Sequence, residues 1–151
     1  MSKKYINSFR SQSSDKEKGQ SLLEMAFATI ILLLLLAGIV DLGRLFFTYI
    51  ALRDAAQEGA AFAAICPPNS LDNKASISDR VKASSHFPVD LSSPNVFVNS
   101  SFSSSPTPGS PVLVIVYYNN FQFIMPFLNL VNGTLSASAQ DISLQWECPT
   151  D

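Results

Sequence analysis

The chain has 151 residues, 47% of them apolar and 15% charged, with a formal net charge of −2. That balance leaves no requirement for a nucleic-acid partner, and two cysteines with one histidine, His86, and no CxxC make a poor zinc set. A soluble domain buries a long, wholly apolar helix only inside a large core, which disfavours that arrangement in a chain this short.

The charge is unevenly placed. Residues 1–19 hold Lys3, Lys4, Arg10, Lys16 and Lys18 against Asp15 and Glu17, a net of +3, and residues 20–151 carry −5. Residues 8–18 are rich in Ser, Gln, Lys, Asp and Glu, too hydrophilic to pack, and read as a disordered leader. Met25 to Val40 then runs without a charge. Counted from Leu22 the apolar stretch has 19 residues interrupted only by Glu24; as a helix it covers about 28 Å, close to the thickness of a hydrocarbon core. A membrane span is the favoured reading and a buried core helix the alternative. Basic residues stay cytoplasmic, so the leader lies inside and everything after Val40 outside: a single-pass protein of the cytoplasmic (inner) membrane.

No A-x-A cleavage site follows the apolar run, as a secretory signal would require. The small residue precedes the run instead, as Gly19. Cleavage there makes Gln20 the first residue, and Glu24 then sits one helical turn from a new α-amino group. An acidic side chain at the membrane edge is a functional candidate by default; its plain alternative is a carboxylate that snorkels at the interface.

Gly19-Gln20-Ser21-Leu22-Leu23-Glu24, leading into an apolar helix, resembles the class III (type IV prepilin) signal. The continuation through Asp41, Gly43 and Arg44 into the alanine-rich stretch Ala51–Ala64 resembles the TadE/TadG-like family of pilin-related proteins over residues 19–65. Residues 111–147 are similar, more weakly, to the closing strands of that family. The resemblance implies processing between Gly19 and Gln20 by a prepilin peptidase. It also implies assembly through Glu24 with other pilin-like subunits and pilus assembly proteins, in a membrane and, on export, in an extracellular pilus. Met25 stands where the major Tad pilins have tyrosine, and those pilins are far shorter. The implied role is therefore a minor pilin or pseudopilin.

From Gln20 to about residue 65 the sequence predicts one helix, membrane-spanning to about 41–48 and then projecting, because good helix formers continue with no proline before Pro67. Small residues recur every fourth position, as Ala51, Ala55, Gly59 and Ala63, with a parallel row of Ala56, Ala60 and Ala64; residues four apart share a face. They allow close packing, either under the chain's own sheet or against like helices in an assembly. Cys66-Pro67-Pro68 ends the helix. The outside compartment allows a Cys66–Cys148 disulfide, stapling the last strand to the top of the helix; the alternatives are metal binding or a catalytic thiol.

Residues 69–87 predict a loop and a short amphipathic helix, capped by Ser76 or Ser78, with Ile77, Val81 and Ala83 inward. Residues 95–102 read as a strand, and 103–111 as a Ser/Pro/Gly connection. Pro111–Tyr118 reads as a central strand buried on both faces. Residues 133–147 alternate, with a phase shift at Gln140-Asp141 that predicts a bulge. The class is α+β: a long N-terminal transmembrane and stalk helix packed at its outer half on three or four antiparallel strands, pilin-like, with residues 66–151 forming the small extracytoplasmic domain. No phosphate loop, G-x-S-x-G elbow, HExxH or Ser/His/Asp set occurs in the sequence, so the expected role is non-catalytic, with no cofactor and no metal. Three functions stay open: a processed pilus subunit for adhesion or secretion, an uncleaved single-pass scaffold of a secretion or pilus machine, and a module that binds a ligand through the 103–111 loop.

Overall fold

The computed structural model describes residues 6–85, 87, 89–104, 107–125 and 133–148, with side chains described from Gly19 onward. The chain forms two compact units, Met1–Val40 and Asp41–Asp151. Helix α1 (Ile6–Ile65) supplies all of the described first unit and opens the second. It starts well before Gly19, which corrects the expectation of a disordered leader. Once a helix exists, each added residue gains a hydrogen bond without a new nucleus, and Arg, Gln, Lys and Glu extend it at little cost. One N-terminal helix is long and apolar enough to cross a membrane, and none of its most apolar window is buried by the chain itself. That exposure removes the alternative of a buried core helix.

The second unit contains the rest of α1, then α2 (Leu71–Ala83), β1 (Val96–Phe102), β2 (Pro111–Phe121) and β3 (Gly133–Ile142). The strands form one antiparallel sheet in the order β1-β2-β3, and the fold is α+β. Val112, Val114 and Val116 are fully buried on one face of β2. Leu113, Ile115 and Tyr117 on the opposite face are only half-buried. The expected double burial of β2 is therefore corrected: helices cover one face of this sheet, and the second side of the strand keeps solvent contact.

The covering side is built from small residues. Ala51, Ala55, Gly59 and Ala63 are buried, as are Ala56, Ala60 and Ala64. Gly59 marks the closest approach: a Cβ there would overlap the Val81 side chain and stand 3.1 Å from Val114 Cγ1. The same core takes in Leu52, Ile77, Leu91, Val96 and Ala137.

Helix α2 is capped by Ser70, which has an extended backbone and whose Oγ accepts the Asn73 N–H at 3.2 Å. Ser76, expected as a cap, lies inside the helix and donates its hydroxyl to the Asp72 carbonyl; Ser78 is also interior. Ile77 and Val81 are buried one turn apart, and Ala83 is exposed rather than inward. An exposed ion pair, Arg80 Nη2 to Glu58 Oε1 at 2.7 Å, joins α2 to α1 and contributes little in water.

The irregularity predicted at Gln140-Asp141 lies elsewhere. Pairing there stays regular, with Leu113 opposite Gln140 and Val112 opposite Asp141, and β3 ends at Ile142. The phase shift in the sequence reflects the end of the strand. The register slips instead between Tyr118 and Phe121, where Asn120 has φ +69, a left-handed conformation that asparagine tolerates better than most residues. His86, Pro126 and Asn132 lie outside the described residues.

Candidate functional site

Three places in the chain gather the residues singled out by sequence. The first is the entry to the apolar helix. Gly19 has open space around its Cα: among the described residues, no atom beyond its chain neighbours and the helix's own backbone lies within 4 Å of a Cβ position. Gln20 Nε2 donates to Glu24 Oε1 at 3.3 Å, across one helical turn. Both side chains are exposed. One turn on, the Thr29 hydroxyl donates to the Met25 carbonyl at 2.8 Å, which satisfies a polar group inside an otherwise apolar run.

The second place begins at Asp41. Its side chain is buried, at 3% exposure, although the residue opens the polar part of the sequence. Asp41 Oδ1 accepts the Ile124 N–H and Oδ2 accepts the Met125 N–H, both at 2.8 Å. Arg44, three residues on, stands 3.6 Å from the Asp41 carboxylate and donates from Nη1 to the Gln122 carbonyl at 3.3 Å. Its guanidinium also lies 5.5 Å from the centre of the Phe121 ring, within cation–π range, and Phe121 meets Phe123 edge-on. One turn of α1 therefore grips the chain where it leaves β2. Sequence reasoning placed Asp41, Gly43 and Arg44 only by family resemblance. Their partners lie some eighty residues away, and nothing local in the sequence announces them.

The third place is the far end of α1. Cys66 and Cys148 form a disulfide. The chain approaching Cys148 is tied to the same end by two hydrogen bonds: Leu144 N–H donates to the Ala64 carbonyl at 2.8 Å, and Asn69 Nδ2 to the Trp146 carbonyl at 2.7 Å. Because the two cysteines are bonded to each other, neither serves as a metal ligand or a catalytic thiol. Among the described residues, no group of three or more His, Cys, Asp or Glu side chains converges to hold a metal ion. The described part of the 103–111 loop is tied to the end of β3, with Gly109 N–H donating to the Ser143 carbonyl at 2.7 Å and Ser143 N–H to the Ser110 carbonyl at 2.9 Å.

The entry site and the helical half of the Asp41 grip fall within a single sequence signature, since residues 19–61 match the family model described as TadE-like protein. Over those residues the chain is similar to that family. The match begins at Gly19, carries the whole apolar run and the Asp41/Arg44 turn, and ends on the buried alanine face. The TadE-like segment stops short of the sheet, so the likeness seen for residues 111–147 is not part of it. No curated protein and no solved structure matches the chain. The similarity covers 43 of the 151 residues, and it includes the apolar part of the helix that is long enough to cross a membrane.

Proposed function

We propose that this chain is a structural, pilin-like subunit, a TadE-like minor pilin or pseudopilin, with no catalytic role. The basic leader stays on the cytoplasmic side and the Asp41–Asp151 unit lies outside. A prepilin peptidase removes residues 1–19, the apolar helix leaves the bilayer sideways, and the subunit enters a Tad-type pilus used in adhesion or secretion. The observation that carries this reading is the start of the TadE-like match at Gly19, directly ahead of Gln20 and Glu24. Gln20 and Glu24 lie one turn apart on an exposed helix face. A new α-amino group on Gln20 therefore offers its charge near a carboxylate. Between neighbouring subunits in an apolar bundle, that pairing neutralises two charges that would each be costly alone.

The test is the intact mass of the protein recovered from membranes and from sheared surface filaments, with a prepilin peptidase coexpressed. A species beginning at Gln20 in the filament fraction is expected. A species retaining residues 1–19 and confined to membranes would overturn the reading in favour of an uncleaved single-pass scaffold. The unbroken course of α1 through Gly19 favours that second reading. Glu24→Ala is expected to abolish incorporation into filaments while leaving the amount of membrane protein unchanged, as quantified by immunoblot of the two fractions. Wild-type incorporation of the variant would show that Glu24 has no pairing role.

A further inference from the structure

The Asp41 grip does more than join two parts of one unit; it ties an exposed apolar segment to one turn of α1. Both oxygens of one buried carboxylate hold two consecutive amides, those of Ile124 and Met125, while Arg44 holds the carbonyl of Gln122. A segment tied at 122, 124 and 125 has little freedom to lift away. Yet Ile124 is 52% exposed, and Leu42 and Phe46, on the same stretch of α1 as the grip, are 69% and 57% exposed. Three large apolar side chains thus stand open beside a carefully satisfied polar anchor. Leu42 and Phe46 follow the last residue of the apolar run by two and six positions, which along a helix is about 3 Å and about 9 Å. The interfacial layer on each side of a bilayer is about 5–8 Å deep. The Arg44 side chain, 47% exposed, offers a cation at the same level.

We propose that residues 121–125, held by Asp41 and Arg44, form a foot that rests in the interfacial layer of the membrane. Ile124 enters that layer at the level of Leu42, and Arg44 meets lipid phosphate. The occupant of this apolar patch is a lipid surface, argued from its attachment one residue beyond the spanning run. The proposal rests on reading residues 22–40 as the span. It adds a second, sheet-borne contact with the bilayer that subunit extraction must release.

The test uses the full chain in phosphatidylcholine vesicles, with and without phosphatidylcholine brominated near the headgroup, and with acrylamide as a water-borne quencher. Trp146 is the chain's only tryptophan, so W146F supplies a silent background in which Ile124→Trp reports the foot and Leu34→Trp reports the span. Emission from I124W is expected to be blue-shifted and quenched by the brominated lipid. Adding Asp41→Ala should lower that quenching and raise quenching by acrylamide. Quenching of L34W with none at I124W would overturn the foot alone, whereas the absence of quenching at both would overturn the span on which it rests. An I124W residue shielded from both quenchers would place a second copy of the chain over the patch and equally overturn the proposal. Lipid quenching unchanged by D41A would show that the grip does not set the position of the foot.

Discussion

Cys66→Ser lowers the melting temperature of the Asp41–Asp151 unit by on the order of 15–25 °C under oxidising conditions. The disulfide closes a sequence separation of 82 residues, and in the chain-entropy account a loop of that size is worth about 4–5 kcal/mol. The unit carries one small core covered on one side of a three-stranded sheet. Against a total stability of about 5–15 kcal/mol for an ordinary domain, the bond is a large part of what holds the fold. Two hydrogen bonds, from the Leu144 backbone and the Asn69 side chain, hold the same end of the chain near α1 without it. They bring their partners together only after folding and do not shorten the loop in the unfolded chain, so they do not replace the bond. Thermal melts of detergent-solubilised full chain, followed by Trp146 emission, supply the measurement. A reductant should move the wild type to the variant's midpoint and leave the variant where it is. Equal midpoints for oxidised wild type and C66S would show that the staple adds nothing.

Gly59→Leu unfolds or severely loosens the same unit, and Gly59→Ala also destabilises it. The sign of the second effect is decided by two opposing magnitudes. In an unconstrained helix, exchanging glycine for alanine gains about 0.5–1 kcal/mol. Here the added methyl overlaps Val81 and crowds Val114, both fully buried. Valine is stiff about χ1, so neither side chain turns away cheaply. Overpacking of that kind costs about 1–3 kcal/mol, which exceeds the helical gain at most values in the range. A double-mutant cycle separates the two contributions. Val81→Ala opens a cavity where the methyl of G59A lands, so the double variant should be more stable than the sum of the single losses by about 1–3 kcal/mol. Strictly additive losses would mean that the helices already separate at Gly59 and that its closeness to Val81 is not a constraint. The outcome also bears on assembly. Substitutions on this buried face should act on the melting of the isolated subunit before they act on any contact between subunits.

Much of this was readable from residue order alone. The apolar run, its basic flank, the proline stop after α1 and the β-branched density of β2 are local patterns, each caused by neighbours along the chain. The two cysteines were legible as a pair because the sequence contains no others. The every-fourth-residue rule also showed that Ala51, Ala55, Gly59 and Ala63 share a face. Where sequence reasoning went astray, a competing local signal was stronger than it looked. Ser70 begins α2 earlier than Ser76 or Ser78 because Asn73 can bond back to it. The break at Gln140-Asp141 was the end of β3, and the bulge belonged to Asn120, whose left-handed backbone follows from the pairing of β2 with its neighbour.

The sequence by itself determined that a basic leader precedes an apolar helix with a glycine and a glutamate at its entry, and that a small α+β unit follows. Those features depend on hydrophobicity, charge and helix period, which are properties of short stretches. Only the tertiary structure decided which partner each face receives. It turned the small-residue rows of α1 onto Val81 and Val114, left one side of β2 open, and brought Ile124 and Met125 onto Asp41. The physical reason is the same in all three cases. A buried carboxylate or a missing Cβ states that something must come close, but the identity of that partner is set by how distant segments share one core.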